Sequence, residues 1–342
     1  MPGVSRRQTE DLVPQWFADI GDYVTSVTWS PCGQILAAAA NGPIQLLDGA
    51  SGASLHQLSG HGFGTLDLSW SPDGTYLASA GQDGTTRLWD AARGVEVAVL
   101  EGGADWVEHV AWSPLGDLVA TAAGKHLKLW HPDGTLYHHI QPHPSTIAGL
   151  AWNTDGTQLA SICYGGIWLW LPGKADPEDG LACQDSLISM AWSPNGRYMA
   201  SGTQGAAVQV WNLKTDQNSE LSGYPTKVRV VAWDAKSRYL ATGGATDLAL
   251  WKFSPTKLAQ DAPTVLEGHE RIIVALAFQG QGPLLASGGE DGEVYLWQPT
   301  RRQPLGRGRH EAAISQLAWH PQDQWLASGD AEGQLTTWQN AV

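Results

Sequence analysis

The sequence predicts an all-β chain made of one unit repeated eight times, because three landmarks recur together and keep register throughout. An aromatic residue returns as Trp29, Trp70, Trp112, Trp152, Trp192, Trp233, Phe278 and Trp319, at spacings of 41, 42, 40, 40, 41, 45 and 41 residues. Nine residues after each comes Ala38, Ser79, Thr121, Ser161, Ser201, Thr242, Ser287 or Ser328. Nine or ten residues further on, the closing position reads Leu47, Trp89, Trp130, Trp170, Trp211, Trp251, Trp297 and Trp338. Chance composition does not hold three landmarks in step, so the period belongs to the fold.

The stretch His61 to Asp90 defines the unit. Leu66, Leu68 and Trp70 alternate with more polar neighbours, Ser71 to Gly74 (SPDG) is a turn, and Tyr76 to Ser79 form a second strand. Asp83-Gly84 then turns into a third strand, Thr86 to Trp89.

Gly60-His61, SPDG, LASAGQDG and Trp89-Asp90 together give this unit a form that resembles the WD-repeat β-propeller family. The resemblance implies four-stranded antiparallel blades, here an eight-bladed β-propeller. The alternative is seven blades preceded by a degenerate unit, since Asn41 to Asp48 lacks both the acid and the tryptophan. The resemblance further implies a structural tetrad in each complete blade: His61, Ser79, Asp83 and Trp89 in the second unit, and His269, Ser287, Asp291 and Trp297 in the seventh. An indole N–H only donates, a carboxylate only accepts, and imidazole and hydroxyl do both, so the four satisfy one another when buried. A His-Ser-Asp set in this setting is structural and not a hydrolytic triad. The opening positions elsewhere read Ile20, Gly103, His143, Cys183, Tyr224 and His310, and the acid position carries Glu332 in the last unit and no acid in the rest. Complete tetrads are therefore expected only in units two and seven.

Taken in order, residues 1–10 are expected to be a disordered N-terminus and 11–342 a single propeller. Repeat units lie near 20–48, 61–90, 103–131, 143–171, 183–212, 224–252, 269–298 and 310–339. Only Gln339 to Val342 follow Trp338, so the outer strand of the last blade is expected from residues 11–19, where Leu12 to Ala18 is apolar and Pro14 suits an outermost strand. Leu171 to Gly180 and Lys252 to Val265 are read as surface loops or loosely attached outer strands. Arg301 to His310 carries four arginines at the outer strand of the seventh blade, either a solvated edge or a contact for an acidic partner.

With 20 basic against 34 acidic residues the net charge is −14, which argues against nucleic acid or an anionic membrane as the main partner. Cys32, Cys163 and Cys183 show no CxxC spacing, and the N-terminus has no apolar signal core, so a cytoplasmic monomer is expected. No phosphate-loop motif occurs, no cofactor is implied, and the acids are too few for a channel-mouth hydrolase. His131, His138, His139 and His143 form the one local histidine concentration, and a metal-handling accessory role is the alternative they raise. Catalytic and metal residues are expected to be none.

The function expected is a non-catalytic scaffold that binds a protein or peptide on the face where the tetrad loops emerge. Residues four and six before each aromatic alternate away from the apolar positions, and the residue preceding the tetrad acid adds a loop neighbour. These rules select Tyr23, Trp106, Glu108, Lys227, Arg229 and Ile272, then Tyr164 and Glu290, with Gln82 and Gln204 beside them. Trp106, Tyr164 and Arg229 are of the residue types enriched at binding hot spots.

Overall fold

The computed structural model describes residues 9–103, 105–140, 142–174, 176–254, 259 and 262–339. Short antiparallel strands follow one another in meanders, as the first complete unit illustrates: Thr65–Trp70, Tyr76–Gly81, Thr85–Asp90 and Val95–Glu101 pair in sequence order into one sheet. The innermost strand of each unit packs against the innermost strands before and after it, and the last, Ile314–Trp319, packs against the first, Ser26–Trp29. The molecule is a closed all-β propeller.

Among the described residues the strands form seven hydrogen-bonded sheets. Counted this way the propeller has seven blades, which corrects the expectation of eight separate ones. The first unit is not where the loss falls, because Ser26–Trp29, Ile35–Ala39, Ile44–Asp48 and Ser54–Leu58 make a full four-stranded sheet. Instead the units of Trp152 and Trp192 share a single six-stranded sheet. The cause is local. Leu159–Trp170 folds back on itself through Gly165 and Gly166, both at positive φ, and Trp170 Nε1 donates to Ser161 Oγ across the fold. Asp179–Trp192 then stays extended, pairing Leu181 with Ile167 at its start and Trp192 with Met199 at its end. No turn separates the outer strand of one unit from the inner strand of the next.

Packing between neighbouring sheets explains the period. The residue before each small landmark is alanine in all eight units (Ala37, Ala78, Ala120, Ala160, Ala200, Ala241, Ala286 and Ala327), and each is buried. Each pairs across the sheet with the residue just before the first-strand aromatic, which is small as well: Thr28, Ser69, Ala111, Ala151, Ala191, Ala232, Ala277 and Ala318. Two facing small side chains leave room for the next unit's indole to lie across them and reach a carbonyl. Trp70 Nε1 donates to Thr28 O, Trp152 to Ala111 O, Trp192 to Ala151 O, Trp233 to Ala191 O, Trp319 to Ala277 O and Trp29 to Ala318 O, at 2.9 to 3.3 Å. This girdle runs through the point of ring closure. At the junction of units two and three Asp67 and Ser69 take over, accepting from the main-chain N–H of Val110 and Trp112. Burial pushes the Asp67 carboxyl up to about 7.

The N-terminal segment is bound to two sheets. Pro14–Asp19 pairs antiparallel with Gln334–Gln339 as the outer strand of the last unit. Residues 1–8 of the expected disordered tail lie outside the described residues, while Glu10–Asp11 pairs parallel with Gly306–Arg309, the outer strand of the seventh unit. That edge, rich in arginine, is therefore covered. Arg307 is held bidentately by Glu293 at 2.6 and 2.7 Å, while Arg301 and Arg302 remain exposed. Trp16 sits in the joint, buried against Val24, Trp29, Leu36 and Leu47, with its indole N–H donating to Gly49 O. Truncating Trp16 to Ala removes both the packing and the bond across the closure. A loss of about 3–5 kcal/mol in urea unfolding is expected, with no change in m-value.

Candidate functional site

The polar clasp of each unit is directional. In unit two Trp89 Nε1 donates to Ser79 Oγ at 2.8 Å, Ser79 Oγ and His61 Nε2 are 2.8 Å apart, and His61 Nδ1 meets Asp83 Oδ1 at 2.9 Å. Because indole must donate and carboxylate must accept, the neutral imidazole carries its proton on Nδ1 and the serine donates to Nε2. The chain ends on Asp83, whose oxygens also accept from Gly62 N, Thr85 N and Thr85 Oγ1. The carboxylate thus ties the loop entering the blade to the turn between its second and third strands. Desolvation would raise the Asp83 carboxyl, yet these donors together hold it down at about 2. His269, Ser287, Asp291 and Trp297 repeat the arrangement.

A third complete clasp occurs in the last unit, which corrects the expectation of two. Trp338 donates to Ser328, Ser328 meets His310 Nε2 at 2.7 Å, and His310 Nδ1 meets Asp330 Oδ2 at 2.9 Å. The acid is Asp330, two residues after the serine, and not Glu332. Unit six keeps a clasp by different chemistry. In unit six the buried Tyr224 hydroxyl stands where the imidazole would, 2.7 Å from Trp251 Nε1 and 2.8 Å from Thr242 Oγ1, and burial pushes its phenol up to about 12. In units one and five the acid sits on the entering segment: Asp22 accepts from Asn41 Nδ2, and Asp185 from Gly205 N. Unit four keeps Trp170, Ser161 and His143, but His143 Nδ1 is buried without a partner among the described residues.

A buried WD-type clasp in three units, with its Trp, Ser, His and Asp in one hydrogen-bonded order, decides the relationship, and the family comparisons agree. Residues 23–260 match the family model described as the IFT122 first beta-propeller, and residues 261–298 and 303–339 match the WD domain, G-beta repeat. The chain belongs to the WD-repeat β-propeller family. Among similar WD-repeat proteins, Protein FIZZY-RELATED 1 of Arabidopsis thaliana is 26% identical over 156 residues, covering 45% of this chain and 32% of the relative. The Anaphase-promoting complex subunit cdc20 of Dictyostelium discoideum is 28% identical over 114 residues, 33% of this chain and 22% of the relative. The chain thus matches less than a third of either relative's length. The crystal structure of the computationally designed Ika8 protein superposes with a TM-score of 0.82 at 23% identity, covering 96% of this chain and 99% of that one. That likeness concerns the fold alone.

The loop face of this WD-repeat propeller carries the residues selected from the sequence. A recurrent main-chain bond joins the two loops concerned: Gln82 N donates to Gly64 O, Gln204 N to Ser186 O, Glu290 N to Ile272 O and Ala331 N to Ala313 O. Tyr23, Trp106 and Tyr164 are about half exposed, Arg229 is exposed, and Glu108, Lys227, Ile272 and Glu290 are half-buried. Trp106 and Glu108 come together in an open cleft of about 660 Å³ between units three and four, lined also by Asp105, Lys125, His126, Pro142 and Thr146. Tyr164 does not line this cleft; its N–H donates to Ser145 Oγ at 2.9 Å within unit four. Lys227 and Arg229 belong to unit six and are not part of this cleft.

Sequence reasoning missed Phe63, which is 85% exposed at φ 70°, a conformation that costs a non-glycine residue energy. The signal was an aromatic between two glycines, Gly62 and Gly64, one position too early for the six-residue rule. With it, Tyr23, Phe63, Trp106 and Tyr164 place one exposed aromatic on the loop face of each of units one to four. The histidine-rich segment does not converge: His143 is in its clasp, His131 packs edge-on against Tyr137, and His139 Nε2 lies 3.3 Å from His126 Nδ1. Among the described residues no group of three or more His, Cys, Asp or Glu is placed to hold a metal ion.

Two outcomes test the clasps. Asp330→Ala leaves His310 Nδ1 buried and unpaired and is expected to lower unfolding free energy by about 2–4 kcal/mol, whereas Glu332→Ala changes it by less than about 0.5 kcal/mol. Burial depresses the His143 pKa to about 4, so the unfolded chain binds the extra proton first as pH falls. The stability this histidine contributes is complete above pH 6.5 and is lost between 6.5 and 4. His143→Gln should therefore remove about 1.4 kcal/mol per pH unit from the wild-type pH dependence in that window, read by urea unfolding.

Proposed function

We propose that the protein is a non-catalytic interaction scaffold whose loop face docks a peptide or protein surface, with Trp106 and Tyr164 as apolar anchors and Lys227 and Arg229 as charge partners. The observation that carries this reading is the set of exposed aromatics on the loops of four successive units, together with the cleft at Trp106. Aromatic side chains that remain exposed on rigidly held loops lose little entropy on docking. In unit two the clasp beneath Phe63 supplies that rigidity. The WD-repeat relatives support the same class: one is by name a subunit of the anaphase-promoting complex, and a role for this chain as a member of an assembly belongs to the proposal. Catalysis is not part of it, since His61 with Asp83, His310 with Asp330, and Asp185 are committed to clasps and backbone caps. A cytoplasmic location is part of it and fits three cysteines that remain free.

The test is affinity capture from an extract of the native cells, read by mass spectrometry. Trp106→Ala combined with Arg229→Glu should abolish capture of the specific partner while shifting unfolding free energy by less than about 1 kcal/mol. A variant with Arg301 and Arg302 reversed in charge should still capture it. Loss of the partner with the second variant and not the first would move the docking site to the rim of the seventh unit, and a large fall in stability with the first would assign those residues to packing.

A further inference from the structure

We propose that the cleft between units three and four receives an arginine side chain of the docked peptide, its guanidinium lying on Trp106 and facing the carboxylates of Asp105 and Glu108. This assignment rests on the loop-face scaffold reading and names the chemistry of one of its subsites.

Asp105, Trp106 and Glu108 enter the cleft from the same segment, where the chain passes from Gly102-Gly103 into the inner strand Val107–Trp112. Trp106 leaves 54% of its surface open, so one face of the indole is available to a flat cation. The Asp105 carboxylate lies close over the tight turn at Gly124, where φ is +55° and a Cβ would come within 2.5 Å of Oδ2. Glycine there is what lets the carboxylate settle against the floor of the cleft. Glu108 is half-buried beside it, and burial together with the charge of Asp105 raises its carboxyl. Two carboxylates that destabilise each other in a partly desolvated site are stabilised by a cation placed between them.

Among the described residues neither Asp105 nor Glu108 takes part in an ion pair. Lys125, the resident base of the cleft, turns its ammonium to Pro144 O at 3.0 Å. His126 is matched with His139 at the rim. Guanidinium fits the remaining space better than ammonium, because it is planar, stacks on an indole and presents parallel N–H pairs to carboxylates. The net charge of −14 would also speed the approach of a basic segment.

The experiment uses three pools of acetylated, amidated heptapeptides with arginine, lysine or citrulline fixed at the centre and uncharged residues elsewhere. Retention on the immobilised full chain is read by mass spectrometry, and the best arginine peptide is then titrated by fluorescence anisotropy. Citrulline keeps the shape of arginine and lacks its charge. Retention of the arginine pool is expected to exceed that of the citrulline pool by about tenfold or more, with lysine between them and with binding weakened by salt. Trp106→Ala, and separately Asp105→Asn with Glu108→Gln, should each weaken the arginine peptide by about tenfold, whereas reversing the charge of Arg301 and Arg302 at the rim of the seventh unit should leave it unchanged. Thermal melts of the variants confirm that each is folded. Equal retention of the arginine and citrulline pools, no retention of any pool, or arginine binding that survives Asp105→Asn/Glu108→Gln overturns the assignment. The scaffold reading then stands or falls separately, on whether Trp106→Ala/Arg229→Glu still loses its partner from the extract.

Discussion

Everything else in this molecule depends on how one blade is held to the next, and that is done by an indole lying over two small residues. The aromatic at the end of each inner strand crosses the preceding sheet where an alanine faces Thr, Ser or Ala, and in six units its N–H finds the carbonyl there. A larger side chain at either small position would lift the ring away and break both contact and bond. The recurrent period is thus a packing constraint: each unit must present its own aromatic to the preceding unit and a small-residue bed to the following one. The fourth and fifth units keep this contact although they share a sheet, because Trp192 still reaches Ala151 O. Interblade packing is indifferent to whether the outer strand of one unit is continuous with the inner strand of the next.

The clasps add a second layer of order, at the loops. A proton-donating chain from tryptophan through serine and histidine has to end on an acceptor, and the acceptor is placed where two loops meet. What varies among units is the chemistry of that end. Asp83, Asp291 and Asp330 close it from the hairpin or beside it, and Tyr224 replaces histidine outright, while Asp22 and Asp185 in units one and five cap the facing loop without ending such a chain. The requirement is that buried donors find partners, and several side-chain sets meet it. His143 is the place where it is not met on the Nδ1 side, and there the imidazole is neutral because burial has moved its pKa to about 4.

These two layers give the loop face its character. Loops fixed from below can hold exposed rings in place, and units one to four do so with Tyr23, Phe63, Trp106 and Tyr164. The cleft at Trp106 forms where unit three has a shortened hairpin, with only Gly124 and Lys125 between its second and third strands. A missing acid residue in that turn therefore opens room for the carboxylate of Asp105, which enters from the other loop.

The sequence by itself determined the all-β class, the repeat, the clasp residues of units two and seven and the supply of the last unit's outer strand by the N-terminal segment, because each depends on local alternation or on a landmark at fixed spacing. It also selected Trp106 and Glu108, which line one cleft. It did not determine the number of separate sheets, since the continuity of Asp179–Trp192 is set by hydrogen bonding on both its sides and not by any turn residue. Nor did it reveal Asp330, because a clasp needs an oxygen at a point in space, which the backbone can reach from more than one position. The covered edge at Gly306–Arg309 and the meeting of Asp105, Glu108, Lys125 and Pro142 in one cleft were decided only by tertiary structure. Neighbouring loops in a ring approach through the packing of whole blades, and no spacing within a single unit encodes that approach.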